Sequence, residues 1–183
     1  MISVRALGTI SMAATLLASA ASAGTLTFDT VFTGPVYTEA GMTIERQPAS
    51  DRDVNTTGSA LGWTCCTGAF YAEYKLSTGN TFSLVGFNAV HIDAEDPITF
   101  EGWAGGSMII SATYSGLFNF PALLGGFDNL DYAIMKINSV AYGDPQIDDL
   151  EFIGETAAVP VPAALPLLGG ALAGLVALRR RRA

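Results

Sequence analysis

Thr25-Leu-Thr-Phe-Asp-Thr-Val-Phe32 alternates with period two, which is the pattern of a β-strand with one face turned to a core. Gly34-Pro35 reads as the turn that ends it, and Tyr37 to Glu45 resumes an extended pattern through Met42 and Ile44. Gln47 to Gly62 is rich in Asp, Ser, Thr, Asn and Gly and reads as a long surface loop. Ala69 to Leu76 and Thr81 to Val90 are expected strands on either side of a turn at Thr78-Gly79-Asn80. Ile98 to Trp103 is a further short strand, turning at Ala104-Gly105-Gly106 into Ser107 to Tyr114. The pair Gly125-Gly126 precedes Leu130 to Val140, and Asp144-Pro145 marks the turn before a closing strand, Ile147 to Ile153. About nine short strands spaced by Gly, Asn and Pro turns, with no amphipathic helix, predict an all-β fold: an antiparallel, jelly-roll-like β-sandwich.

Both chain ends read as transport signals. Arg5 gives a basic start, Ala6 to Ala18 is mostly apolar, and Ala21-Ser22-Ala23 fits the small-residue pattern of a leader-peptide cleavage site. At the other end, Val159 to Leu178 carries no charge and runs into Arg179, Arg180, Arg181 and Arg182. At about 1.5 Å rise per residue, some twenty apolar residues match a hydrocarbon layer of roughly 30 Å. The positive-inside bias places the arginines on the cytoplasmic side. Pro160, Pro162 and Pro166 crowd the start of the span, so regular helix is expected from Pro166 onward. Gly170 and Gly174 form a G-x-x-x-G pair that can pack against a partner helix. The expected organisation is a signal peptide over 1–23, an extracytoplasmic domain over 24–158 and a C-terminal segment over 159–183. The chain then crosses the membrane once, with its N-terminus outside.

The 183-residue chain has its 17 acidic residues between Gly24 and Ala158, against four basic ones there (Arg46, Arg52, Lys75 and Lys136), a formal charge of −13. A phosphate backbone would be repelled, so nucleic acid is excluded as a partner. Divalent cations or a neutral glycan suit this charge, and so does plain solvation. The mean hydropathy of +0.38 is inflated by the two terminal segments. Cys65 and Cys66 are the only cysteines and are adjacent. Neighbouring Cα atoms lie about 3.8 Å apart, below the usual ~4.4 Å minimum for a bridge, so a local disulfide would be strained. Free thiols and links between molecules are the alternatives. The single histidine, His91, leaves no histidine-based triad, and no G-x-S-x-G elbow occurs.

The run V-P-V-P-A-A-L-P at 159–166, followed by the apolar span and the arginine block, resembles the C-terminal sorting signal of the PEP-CTERM class in its VPLPA variant. Val159, Pro160, Pro162 and Ala163 match that motif, while Val161 replaces its leucine. The resemblance implies recognition and processing by an exosortase, a membrane cysteine protease, after signal peptidase has removed the leader. Delivery to the cell surface or extracellular matrix would follow, in bacteria that often make exopolysaccharide.

The middle of the chain resembles the jelly-roll domains common in that class, some of them similar to carbohydrate-binding modules. Phe82-Ser-Leu84, Gly102-Trp103 with Gly105-Gly106, Gly126 to Leu130 and Ile147 to Phe152 carry this likeness. It implies a structural calcium held between the first and last strands, with Asp29 or Glu39 and Asp148 or Asp149 as the matching acids; surface carboxylates are the plain alternative. No other cofactor is expected. The expected function is a non-catalytic surface or matrix protein with a structural or carbohydrate-binding role. Trp103 and Trp63 are the candidate sugar-stacking residues, and Tyr71, Tyr74, Tyr114 and Tyr142 are either platform or core. The competing expectations are a self-assembling surface component, joined through sheet edges or Cys65 and Cys66, and a glycan-acting hydrolase built on two carboxylates.

Overall fold

The computed structural model describes residues 21–62, 69–139 and 145–155. Their regular structure is entirely β: β1 (Ala21–Leu26), β2 (Val31–Gly34), β3 (Val36–Glu39), β4 (Met42–Arg46), β5 (Val54–Thr57), β6 (Leu61–Gly62), β7 (Phe70–Ser77), β8 (Phe82–Ile92), β9 (Ile98–Ala104), β10 (Ser107–Tyr114), β11 (Leu117–Leu123), β12 (Tyr132–Ser139) and β13 (Gln146–Glu155). One sheet, A, runs β11-β8-β13-β6-β5-β2, with β1 also paired to β13; the other, B, runs β10-β9-β12-β7-β4-β3. The pairings are antiparallel, and the architecture is a two-sheet β-sandwich. No helix occurs among the described residues. The expected sorting motif Val159–Ala163, the span to Leu178, the arginines 179–182, Trp63, Cys65, Cys66, Tyr142 and residues 1–20 of the expected leader lie outside them.

The stretch Thr25–Phe32 is two strands, not one. The chain leaves β13 at Leu26, opposite Leu150, and joins β5 from Val31. Between them Phe28 takes a left-handed backbone conformation, φ 52°, which breaks the extended run. Glu39 holds this bend. Its Oε1 accepts from the Thr27 N–H (3.2 Å) and hydroxyl (2.9 Å), and its Oε2 from the Phe28 N–H (3.1 Å) and the Tyr37 hydroxyl (2.9 Å). Leu26 and Phe28 both stay in the core across the bend. A period-two pattern therefore reported burial correctly and strand continuity wrongly.

Three further expectations need correction. Tyr37 to Glu45 is a hairpin of β3 and β4, closed by Ala40 and Gly41, both at positive φ; this is the turn geometry that follows strand twist. The expected loop Gln47–Gly62 contains β5 and β6, with Val54, Thr56, Ala60 and Leu61 buried. Its buried hydroxyls have partners: that of Ser50 donates to the Arg52 carbonyl (2.7 Å), and that of Thr56 donates to the Thr30 carbonyl of a distant segment. Buried hydroxyls with partners pack like core residues, and composition alone does not show those partners. Finally, Leu117–Leu123 is a strand that the alternation does not predict; Pro121 argues against an interior strand, yet β11 is an edge, where a missing N–H is tolerated.

The expected strands around Thr78-Gly79-Asn80 do form, but β7 belongs to sheet B and β8 to sheet A, so the turn carries the chain between layers. The expected closing strand is central: β13 lies between β8 on one side and β1 with β6 on the other. The core between the sheets contains Leu26, Phe28, Met42, Ile44, Tyr74, Phe82, Phe100, Phe127 and Leu150, all fully buried. Gly102 serves this packing, because a Cβ there would sit 2.7 Å from the Ile110 side chain and 2.8 Å from that of Leu130.

Candidate functional site

The outer face of sheet B carries a shallow groove of about 320 Å³ over its central strands. Strand alternation places the groove's side chains: β7 turns Phe70, Ala72, Tyr74 and Leu76 inward and Tyr71, Glu73 and Lys75 outward. In the same way β9 presents Glu101 and Trp103, and β12 presents Tyr132 and Lys136. Register then decides neighbours. Tyr132 lies opposite Trp103, Ile134 opposite both Glu101 and Lys75, and Lys136 opposite Glu73.

The rings of Trp103 and Tyr132 stack, with centroids 5.6 Å apart and an interplanar angle of 12°. The Lys75 ammonium lies 4.8 Å from the Tyr132 ring centre, a cation–π contact. Because β12 separates β9 from β7, Trp103 and Lys75 approach Tyr132 from opposite sides. On its other side Trp103 lies opposite the exposed Met108 of β10. The Trp103 indole N–H is buried without an acceptor among the described residues.

Charges around the rings are matched internally. Lys136 Nζ donates to Glu101 Oε1 at 2.6 Å, and the Tyr71 hydroxyl donates to Glu73. Burial, that hydrogen bond and the charges of Glu73 and Glu101 push the Tyr71 hydroxyl far above its ordinary range, so it remains a donor. Gln47 closes one side of the groove, and its backbone N–H donates to the Glu73 carbonyl at 2.9 Å. The result is a fixed set of donors and acceptors of both signs beside an indole face, which suits a neutral polyhydroxylated ligand.

Of the aromatic candidates named from sequence, Trp103 and Tyr71 share this face. Tyr74 is a core residue whose hydroxyl donates to the Asp53 carbonyl at 3.1 Å. Tyr114 packs edge-on against Phe87 at 5.1 Å and donates to the Leu123 carbonyl. Tyr132 was not singled out. Its signal was the alternation Tyr132-Ile134-Lys136, but its pairing with Trp103 depends on a register that the sequence does not show.

The four acids proposed for calcium gather near the Phe28 bend. Burial, and then the charges of Asp149, Asp29 and Glu39, raise the Asp148 carboxyl above its usual range, against a lowering hydrogen bond from the Asp149 N–H. Glu39, however, spends both oxygens on internal donors, and Asp29 Oδ2 lies 2.9 Å from the same Thr27 hydroxyl, so the two carboxylates share its single proton. Among the described residues no group of three or more His, Cys, Asp or Glu side chains is arranged to hold a metal ion. A carboxyl with a raised folded pKa favours folding below its unfolded value, near 3.8, and this contribution is lost as pH rises through the folded value. Asp148→Asn is therefore expected to raise the denaturation midpoint at pH 7, by a margin that shrinks toward pH 4. Urea titrations at both pH values, with and without calcium chloride, check this. A calcium-dependent rise in wild type that the variant lacks would assign Asp148 to a metal.

A second groove, about 430 Å³, crosses sheet A over β8 and is lined by Asn88, Asn119, Leu123, Asp149 and Glu151. Its one ring, Phe87, is buried, so it offers no stacking surface. A scan against protein-family models and a search of curated proteins both return no match to this chain.

Proposed function

We propose that this chain is an exported, non-catalytic protein of the bacterial cell surface or matrix whose jelly-roll-like domain binds carbohydrate on the outer face of sheet B. The observation that carries the reading is Trp103, stacked on Tyr132 and flanked by Gln47, Glu73, Lys75, Glu101 and Lys136 on one face. Apolar sugar faces stack on an indole, while neighbouring hydroxyls exchange hydrogen bonds with paired charges. The acidic domain, formal charge −13 over Gly24 to Ala158, favours a neutral polymer over a polyanion. The tail from Val159 to Arg182, with its resemblance to the PEP-CTERM signal, supports sorting by an exosortase-type protease, transient membrane anchorage with the N-terminus outside, and release near residues 159–166.

Mass spectrometry of the mature protein from its native host tests the sorting: the expected termini lie at Gly24 and near the proline motif. An intact C-terminus ending at Ala183 overturns processing. Affinity electrophoresis against a panel of neutral polysaccharides tests the binding. Wild type is expected to be retarded by at least one polymer, and Trp103→Ala to weaken that retention roughly tenfold. Equal retention of wild type and variant removes the site, and hydrolysis of the retained polymer overturns the non-catalytic assignment.

A further inference from the structure

The chain has two lysines, Lys75 and Lys136, and both line the groove on sheet B. In a domain with a formal charge of −13 over Gly24 to Ala158, a cation has many carboxylates to pair with. Arg46 takes Asp53 at 2.9 Å and Lys136 takes Glu101 at 2.6 Å. Lys75 takes none. Glu45 lies directly opposite it on β4, and Glu73 precedes it by two positions on the same face of β7. Its ammonium nevertheless forms no ion pair among the described residues and rests over the Tyr132 ring, 4.8 Å from its centre.

The groove's own carboxylates are supplied from within, Glu101 by Lys136 and Glu73 by the Tyr71 hydroxyl. The two polar groups without an acceptor at the ring pair, the Lys75 ammonium and the Trp103 indole N–H, are both donors. A sugar hydroxyl brings a proton as well as lone pairs, whereas a carboxylate only accepts and answers a cation with a full charge. We propose that Lys75 binds the carboxylate of an acidic sugar, so that the ligand is an otherwise neutral glycan with a uronate residue in its repeat. This rests on the reading of the groove as a glycan site.

The geometry suits an extended ligand. Trp103 and Lys75 stand on the strands either side of β12, on the order of 10 Å apart at the backbone, so the two contacts fall on different parts of the polymer. Charge then limits how acidic that polymer can be. Glu45, Glu73 and Glu101 stand on the strands around Lys75, and the domain as a whole repels a dense polyanion. Spaced carboxylates are accepted and continuous ones are not.

Titration calorimetry of the full chain in mild detergent tests this. The probes are oligosaccharides of gellan, a largely neutral polymer with a glucuronate in each repeat, and the same oligosaccharides after reduction of the carboxyl groups to alcohols. Wild type is expected to bind the native form about tenfold more tightly than the reduced form, by a ratio that shrinks as salt is raised. Lys75→Met is expected to bind the two forms alike, and Lys75→Arg to keep the preference. Equal binding of both forms by wild type, or a preference that survives in Lys75→Met, overturns the proposal. So does tighter binding of polygalacturonate, a dense polyanion, than of gellan. These results leave the glycan reading in place, because Trp103→Ala tests that reading separately on the reduced form. Absence of binding to either form by wild type removes the glycan site and the proposal with it.

Discussion

Glu39→Ala is expected to destabilise the protein by about 3 kcal/mol and to change how it responds to acid. The carboxylate accepts four hydrogen bonds, two from backbone N–H groups at the turn between β1 and β2. Each unsatisfied donor costs about 1–3 kcal/mol when buried; these sites are half-buried, so water recovers part of the loss. Burial raises the Glu39 pKa, but the hydrogen bonds from Tyr37, Thr27 and the Phe28 and Thr27 N–H groups outweigh it, and the pKa lies below its ordinary value of 4.5. A depressed folded pKa stabilises the protein above the unfolded value, and this contribution is lost as pH falls through the folded one. Wild type should therefore lose this stabilisation below about pH 4.5, whereas Glu39→Gln should be weaker at neutral pH and flatter in acid. Gln offers one carbonyl oxygen and turns an amide NH₂ toward donors. Urea denaturation at pH 7 and pH 3.5 measures both effects. An unchanged neutral midpoint in Glu39→Ala would show that the bend holds without the carboxylate.

Phe100→Ala should be at least as damaging, about 3–5 kcal/mol. Phe100 is fully buried on β9, with its ring 5.2 Å from Phe87 across the two sheets and 6.3 Å, edge-on, from Tyr114. Truncation leaves a cavity under three strands that Tyr114 cannot fill, because its hydroxyl is tethered to the Leu123 carbonyl. Against a typical domain stability of about 5–15 kcal/mol, the thermal midpoint should fall by roughly 10 °C or more. Phe100→Leu, which keeps most of the volume, should cost much less. Calorimetry of the two variants separates cavity formation from general intolerance at this position.

Alternation was the legible part. Ala69–Leu76, Thr81–Val90, Ile98–Trp103 and Ile147–Ile153 each lie largely within an observed strand, because side chains must alternate wherever one face of a sheet is buried. The two-residue turn at Gly105-Gly106, both at positive φ, was legible for an equally local reason: the conformation suits glycine. Where two strands were hidden in Gln47–Gly62, the inward groups included Thr56 and Ser50. Thr56 is satisfied by the Thr30 carbonyl, 26 positions away, and Ser50 by the Arg52 carbonyl of its own turn, so composition alone reads both as solvated loop.

The candidate site divides along the same line. From the sequence alone followed an all-β chain, inward and outward faces for each strand, an acidic middle, and Trp103 beside a glycine turn; each depends on neighbours only a few residues apart. Tertiary structure alone decided which strands became edges, that Glu39 would clamp the bend at Phe28, and that Tyr132 would stand against Trp103. Strand order and register bring together residues tens of positions apart, through pairings that many registers of the same alternating pattern would satisfy equally well until the core is packed.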